Sequence, residues 1–180
     1  MNFEIEKFKA CKESIAFREN YSDFKSAWEN CPRGDWMLWI AKKLEVDLLK
    51  LTTAKALCAN TVRHLMKDER SKKAIDVAIL FGQGLATREE LDFAAADAYA
   101  AAHTATYSAA AYAANTDAYA AAYAADTATY SAAAYAAVAA YAADAYAADA
   151  AASRQKNQQE TAEICRRVLT DVVLTAIDNL

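Results

Sequence analysis

The block Cys31-Pro32-Arg33-Gly34-Asp35-Trp36-Met37-Leu38-Trp39 is the most distinctive local sequence in the chain. Trp36 and Trp39 are three residues apart, so on a helix they share one face, and Trp28 lies just upstream. Arg33, Asp35, Trp36 and Trp39 are the residue types that bind by stacking and by ion pairing, and Trp and Arg dominate binding hot spots. The same spacing also suits three core tryptophans that anchor the N-terminal helices. A second set of cations, Arg63, Lys72, Lys73 and Arg88, together with His64 and the tyrosines Tyr99 and Tyr107, could hold an anionic ligand by stacking and phosphate contacts. Arg63-His64 near a helix C-terminus equally suits a solvent-facing pair that favours the helix dipole.

Motifs for catalysis are sparse. The chain has two histidines, His64 and His103, and no GxSxG, HExxH, P-loop or dinucleotide-binding fingerprint. Gly82-Gln83-Gly84 reads as a turn between helices, because no strand precedes it. The four cysteines (11, 31, 58, 165) lack CxxC spacing and read as free thiols of a cytoplasmic protein. Neither a catalytic residue, a metal site nor a cofactor is expected.

These residues need elements to position them, and the composition points to helices. Three Gly and one Pro in 180 residues leave few turns for a sheet. The expected order begins with an amphipathic helix over 4–19 and a short one over 22–30. Asp35 is placed to cap a helix over 36–44, and Asp47 to cap one reaching about Met66. A helix after Ser71 stops at Gly82-Gln83-Gly84. Thr87-Arg88-Glu89-Glu90 fits a capping box ahead of Leu91 and Phe93. In the last segment Ile164, Val168, Val172 and Leu174 are the expected core contacts.

Residues 94–152 are built from alanine with recurrent tyrosine, and hold five aspartates and no Lys or Arg. TATYSAAAYAA occurs at 104–114 and again at 127–137. Tyr119, Tyr130 and Tyr141 are 11 apart, as are Tyr112 and Tyr123, and Tyr135 and Tyr146. Eleven residues advance a helix by nearly three whole turns, so each set keeps to one face. One straight helix over the tract would be about 89 Å long, against a radius of gyration of about 16 Å for a compact domain of this size. The expectation is therefore a tract that folds back, with breaks at 103–106, 115–117 and 126–129, and with close packing of small side chains. The fold class is all-α: a helical bundle with long alanine/tyrosine-rich helices packed closely together. It forms one domain over 1–180, made of amphipathic helices (1–93), the alanine/tyrosine-rich tract (94–152) and a C-terminal helix (153–180). Ala barely favours a bilayer and Asp recurs through the tract, which argues against a membrane span. An ice-binding helix would want threonine at 11-residue spacing, and only Thr116 and Thr127 meet it.

Formal net charge is −4, and residues 1–93 carry 16 Lys+Arg against 15 Asp+Glu, which does not suggest nucleic acid as a partner. Read from about Ala10 to Val173, the chain resembles the alanine-rich immunity proteins of bacterial toxin systems and phages. The resemblance rests on RGDWMLW, on LTTAKALCA, and on SKKAIDVAILFGQG followed by TREELDFAAADAYAAA. Ser71 stands where that family often has proline. The resemblance implies a non-catalytic neutralising protein that blocks a toxin by stoichiometric binding, with no catalytic residues to carry over. The alternative is a phage-type counter-defence sponge that sequesters a small anionic, nucleotide-like immune signal. A homo-oligomer stays open in either case.

Overall fold

The computed structural model of the chain describes residues 4–66, 68–104 and 147–180, the side chains of 99–104 and 147–153 excepted. The fold is an all-α helical bundle, and no strand is present among the described residues. A 3₁₀ turn (Ile5–Phe8) leads to α1 (Lys12–Glu19), α2 (Phe24–Asn30), α3 (Gly34–Lys43) and α4 (Leu48–Asn60). A second 3₁₀ turn (Arg63–Leu65) precedes α5 (Glu69–Gly82), α6 (Arg88–Thr104) and α7 (Ala147–Asp178).

Local chemistry explains most of the boundaries. Asp23 caps α2 by accepting from Ser26 N at 2.8 Å, and Asp47 caps α4 by accepting from Lys50 N at 2.9 Å. Gly84, at φ 73°, closes α5 with its N–H to Phe81 O, while Leu85 N reaches Leu80 O at 2.8 Å. That is the double bond of a Schellman ending, which needs a left-handed residue and so favours glycine. The capping box at α6 forms as expected: Thr87 N donates to Glu90 Oε2 and Glu90 N to Thr87 Oγ1.

Four boundaries differ from the sequence expectation. Residues 4–19 do not form one helix: Lys9 turns left-handed at φ 60°, and Cys11 restarts the chain as the extended residue before α1. Asp35 does not cap α3. It lies inside the first turn, where the Arg33 side chain holds it, and Arg33 occupies the capping position. α4 ends at Asn60 and not near Met66, because Thr61 Oγ1 turns back onto Cys58 O at 2.7 Å. The cap of α5 is Asp68, which accepts from Arg70 N, while Ser71 is a buried residue within the helix.

The helices form two layers that share α4. In the first, α7 packs along α3 and α4 and touches α2. In the second, α4 packs on α5, and α5 on α6. Leu51, Ala54 and Cys58 of α4 face the first layer, while Ala56 and Ala59 face the second. The buried row of α7 is Cys165, Leu169, Val173 and Ile177, spaced by four. The expected row of Ile164, Val168 and Val172 lies one position over; Ile164 is buried, while Val168, Val172 and Leu174 are only half-buried.

Within the first layer α3 and α7 come very close where α3 begins. A Cβ placed on Gly34 would stand 2.6 Å from the Thr161 carbonyl carbon and 2.7 Å from Thr161 Cβ. No side chain larger than hydrogen fits there without moving α3 off α7. Around this contact Cys165 Sγ donates to Gly34 O at 3.6 Å, and Cys58 Sγ to Thr161 O at 3.7 Å. Burial pushes the Cys165 thiol well above its ordinary range, and the neighbouring Cys58 adds to this.

Both ends of the alanine-rich tract continue helices of the body. α6 crosses from 93 into 94–104 without a break, and α7 runs from Ala147 through 153 to Asp178. The expected fold-back of the tract, its breaks at 115–117 and 126–129 and its tyrosine faces lie outside the described residues.

Candidate functional site

The three tryptophans come from two helices whose starts are fixed by the caps and breaks above. Trp28, on α2, is 2% exposed, and its indole Nε1 donates to Thr170 Oγ1 of α7 at 2.9 Å. It is a core residue, one reading of the tryptophan block. Trp36 and Trp39, on α3, are only half-buried. They line a recess together with Trp28, Phe17, Arg18 and Met37. The recess is small: its cavity volume is about 50 Å³, well below that of ligand-binding clefts. Its walls are almost wholly apolar or aromatic, with Ser14 and Arg18 as the polar exceptions.

Aromatic packing holds one wall. Phe17 and Trp36 have ring centroids 5.8 Å apart at 53°, and Phe17 and Tyr21 lie 5.1 Å apart at 49°. These tilted pairs suit the ring quadrupoles. Arg33 clamps Trp36 from outside the recess, its guanidinium carbon 4.6 Å from the ring centroid. The same guanidinium grips Asp35 with Nε at 2.8 Å from Oδ1 and a second bond from its terminal nitrogen. The hydrogen bonds to Asp35 make the Arg33 guanidinium hold its proton more tightly than usual. Arg33 and Asp35 therefore fix the orientation of Trp36 and spend their charges on each other. Below them, Arg166 of α7 donates to Cys31 O at 2.7 Å and pins the turn before α3. Burial pushes the Cys31 thiol up to about 11, so it stays neutral.

The second set of cations does not converge on a site. Arg63 belongs to the 3₁₀ turn beyond α4, not to a helix end, and binds Asp76 through two bonds of 2.6 and 2.9 Å. The Asp76 hydrogen bonds raise its affinity for its proton further. Lys72 pairs with Glu69 at 2.7 Å, and Arg88 with Asp92 at 2.8 Å. Lys73 and His64 are exposed. Arg63 and Lys72 lie beside the first half of α5, whereas Arg88 opens α6 beyond the far end of α5. Tyr99 is on α6, with its side chain outside the described residues, and Tyr107 also falls outside them.

Sequence reasoning missed Phe17 and Arg18, whose helix carries no motif. It also missed Lys55, which is 2% exposed in the middle of α4 and is engaged in the fold. Among the described residues no group of His, Cys, Asp and Glu could hold a metal ion, and no helix is long and apolar enough to cross a membrane. No protein-family model, no curated protein and no solved structure matches the chain.

Proposed function

We propose that the chain is a non-catalytic neutralising protein that binds another polypeptide stoichiometrically, in the manner implied by its resemblance to toxin-blocking immunity proteins. One observation carries this reading: an open, rigidly walled aromatic recess on α1–α3, lined by Phe17, Trp36 and Trp39. A recess of this kind accepts an apolar side chain from a partner, and a preformed aromatic pocket keeps the ordering cost of binding small. The Arg33–Asp35 clamp supports it by fixing Trp36 before a partner arrives. Capture of a nucleotide would need several cations aimed at one place, and Arg63, Lys72 and Arg88 are committed to Asp76, Glu69 and Asp92. Four free thiols suit the reducing cytoplasm as the place of action.

The test is native mass spectrometry of the full chain purified from its host, with Trp39→Ala alongside. A polypeptide bound at a fixed molar ratio, and lost in a Trp39→Ala protein that stays folded, is the expected result. A retained small anion would instead support the sponge. A ligand consumed at substoichiometric protein, with an altered product, would make the chain an enzyme.

A further inference from the structure

The recess has almost no polar surface, and the one charged residue that lines it, Arg18, indicates what its occupant carries. Arg18 contributes to the wall beside Phe17 and Trp36, and it is the cation at this site without a carboxylate. It forms no ion pair among the described residues; its one hydrogen bond runs from a terminal nitrogen to Tyr21 O at 2.8 Å. Its Nε is shut away from water and has no acceptor. Every other arginine named so far is satisfied differently: Arg33 by Asp35, Arg63 by Asp76, Arg70 by Asp68, Arg88 by Asp92 and Arg166 by Glu163. A guanidinium offers five donors, and a buried donor left unmade is costly. Arg18 is thus a positive charge at an apolar cleft, bound within the chain through one terminal nitrogen and with no carboxylate beside it among the described residues.

We infer that the recess recognises an anchor on the partner polypeptide made of an aromatic or long aliphatic side chain with a carboxylate beside it. The apolar group fills the space between Phe17, Trp36 and Trp39, and the Asp or Glu pairs with Arg18. This rests on the reading of the recess as a protein-binding site and adds the charge of the occupant. Charge complementarity selects an acidic neighbour, because a basic one would meet Arg18 with like charge. An uncharged anchor would leave the guanidinium as it is, gaining only the apolar contact.

The experiment uses the full chain and two probes, the peptides acetyl-Gly-Phe-Asp-Gly-amide and acetyl-Gly-Phe-Asn-Gly-amide. Both are titrated to about 10 mM, a range suited to one anchored side chain. The indole N–H signals of the three tryptophans are followed by NMR. The acidic peptide should bind roughly threefold to fivefold tighter, the factor that a part-exposed ion pair provides. The preference should vanish in Arg18→Gln and return in part in Arg18→Lys, with circular dichroism confirming that both variants are folded. Should Arg18→Gln fail to fold, a preference in the wild type that disappears at high salt provides the same support. Equal binding of the two peptides, or a preference that persists in folded Arg18→Gln, overturns the acidic-anchor inference and leaves the apolar recess standing. No indole shift with either peptide overturns both.

Discussion

In the layer of α2, α3 and α7 the buried side chains include Trp28, Met37, Leu38, Leu169 and Val173. In the layer of α5 and α6 alanines take a larger share, Ala74, Ala78, Ala94 and Ala98 with Ala56 and Ala59 of α4 facing them, and Ile75, Phe81 and Leu91 are the large side chains between them. Large side chains hold backbones apart and interlock, and where they fail to meet they leave a recess between Phe17, Trp36 and Trp39. Where alanines meet, helices can approach closely, so those positions are sensitive to added volume. One chain thus uses two packing regimes on the two sides of α4. The regime with large aromatic residues is the one that opens to a partner.

Substitutions separate the two regimes. The largest effect is expected for Trp28→Ala, which empties a core site and removes the bond to Thr170: about 3–5 kcal/mol in urea unfolding. A loss below that of Ala78→Leu would break the comparison. Ala78→Leu should cost about 1–3 kcal/mol by overpacking, although it adds a better-filled apolar volume. If it stabilises the protein, the second layer contains unfilled space and its packing is not close. Asp47→Ala tests the helix that the layers share, and removal of this cap should cost about 1 kcal/mol. The smallest effect is set by pH. The Ser26 N–H holds the Asp23 carboxyl below its usual range, and the Thr87 N–H does the same for Glu90. Their folded pKa values lie below the unfolded ones, so their contribution is complete above the ordinary carboxylate pKa of about 4 and is lost as pH falls through the folded values. The melting temperature should therefore fall on acidification below about pH 4, and less so in a protein carrying both Asp23→Asn and Glu90→Gln.

Much of the helix order could be read in the residues, because caps are local chemistry. Asp47 before Leu48-Leu49, Thr87 three residues before Glu90, and Gly84 after Phe81 each act within one turn. Where reading failed, a competing side chain nearby or a contact distant in sequence decided the outcome. Asp35 is a good capping type, yet an arginine two residues earlier takes its carboxylate and stacks on Trp36. The buried row of α7 was misjudged by one position because Cys165 looks neutral in sequence, and only its place against Gly34 and Cys58 shows it as core. The tryptophan block was legible as core or pocket, and Trp28 proves to be the first while Trp36 and Trp39 line the second. Arg18 could not be singled out, since nothing local distinguishes an arginine that will lack a carboxylate from one that will find it.

The bond from Trp28 to Thr170 spans 142 positions of the chain. As the polypeptide is synthesised, α2 and α3 emerge long before the helix that covers them. The α4–α5–α6 layer, by contrast, is assembled from neighbours and can close early. Contacts across so long a loop form late and slowly, and until they form three tryptophans and the apolar face of α3 stay uncovered. A chain that has not yet gained α7 should therefore be half organised and adhesive, and refolding yield should fall as protein concentration rises. A chain truncated before α7 should remain in that state.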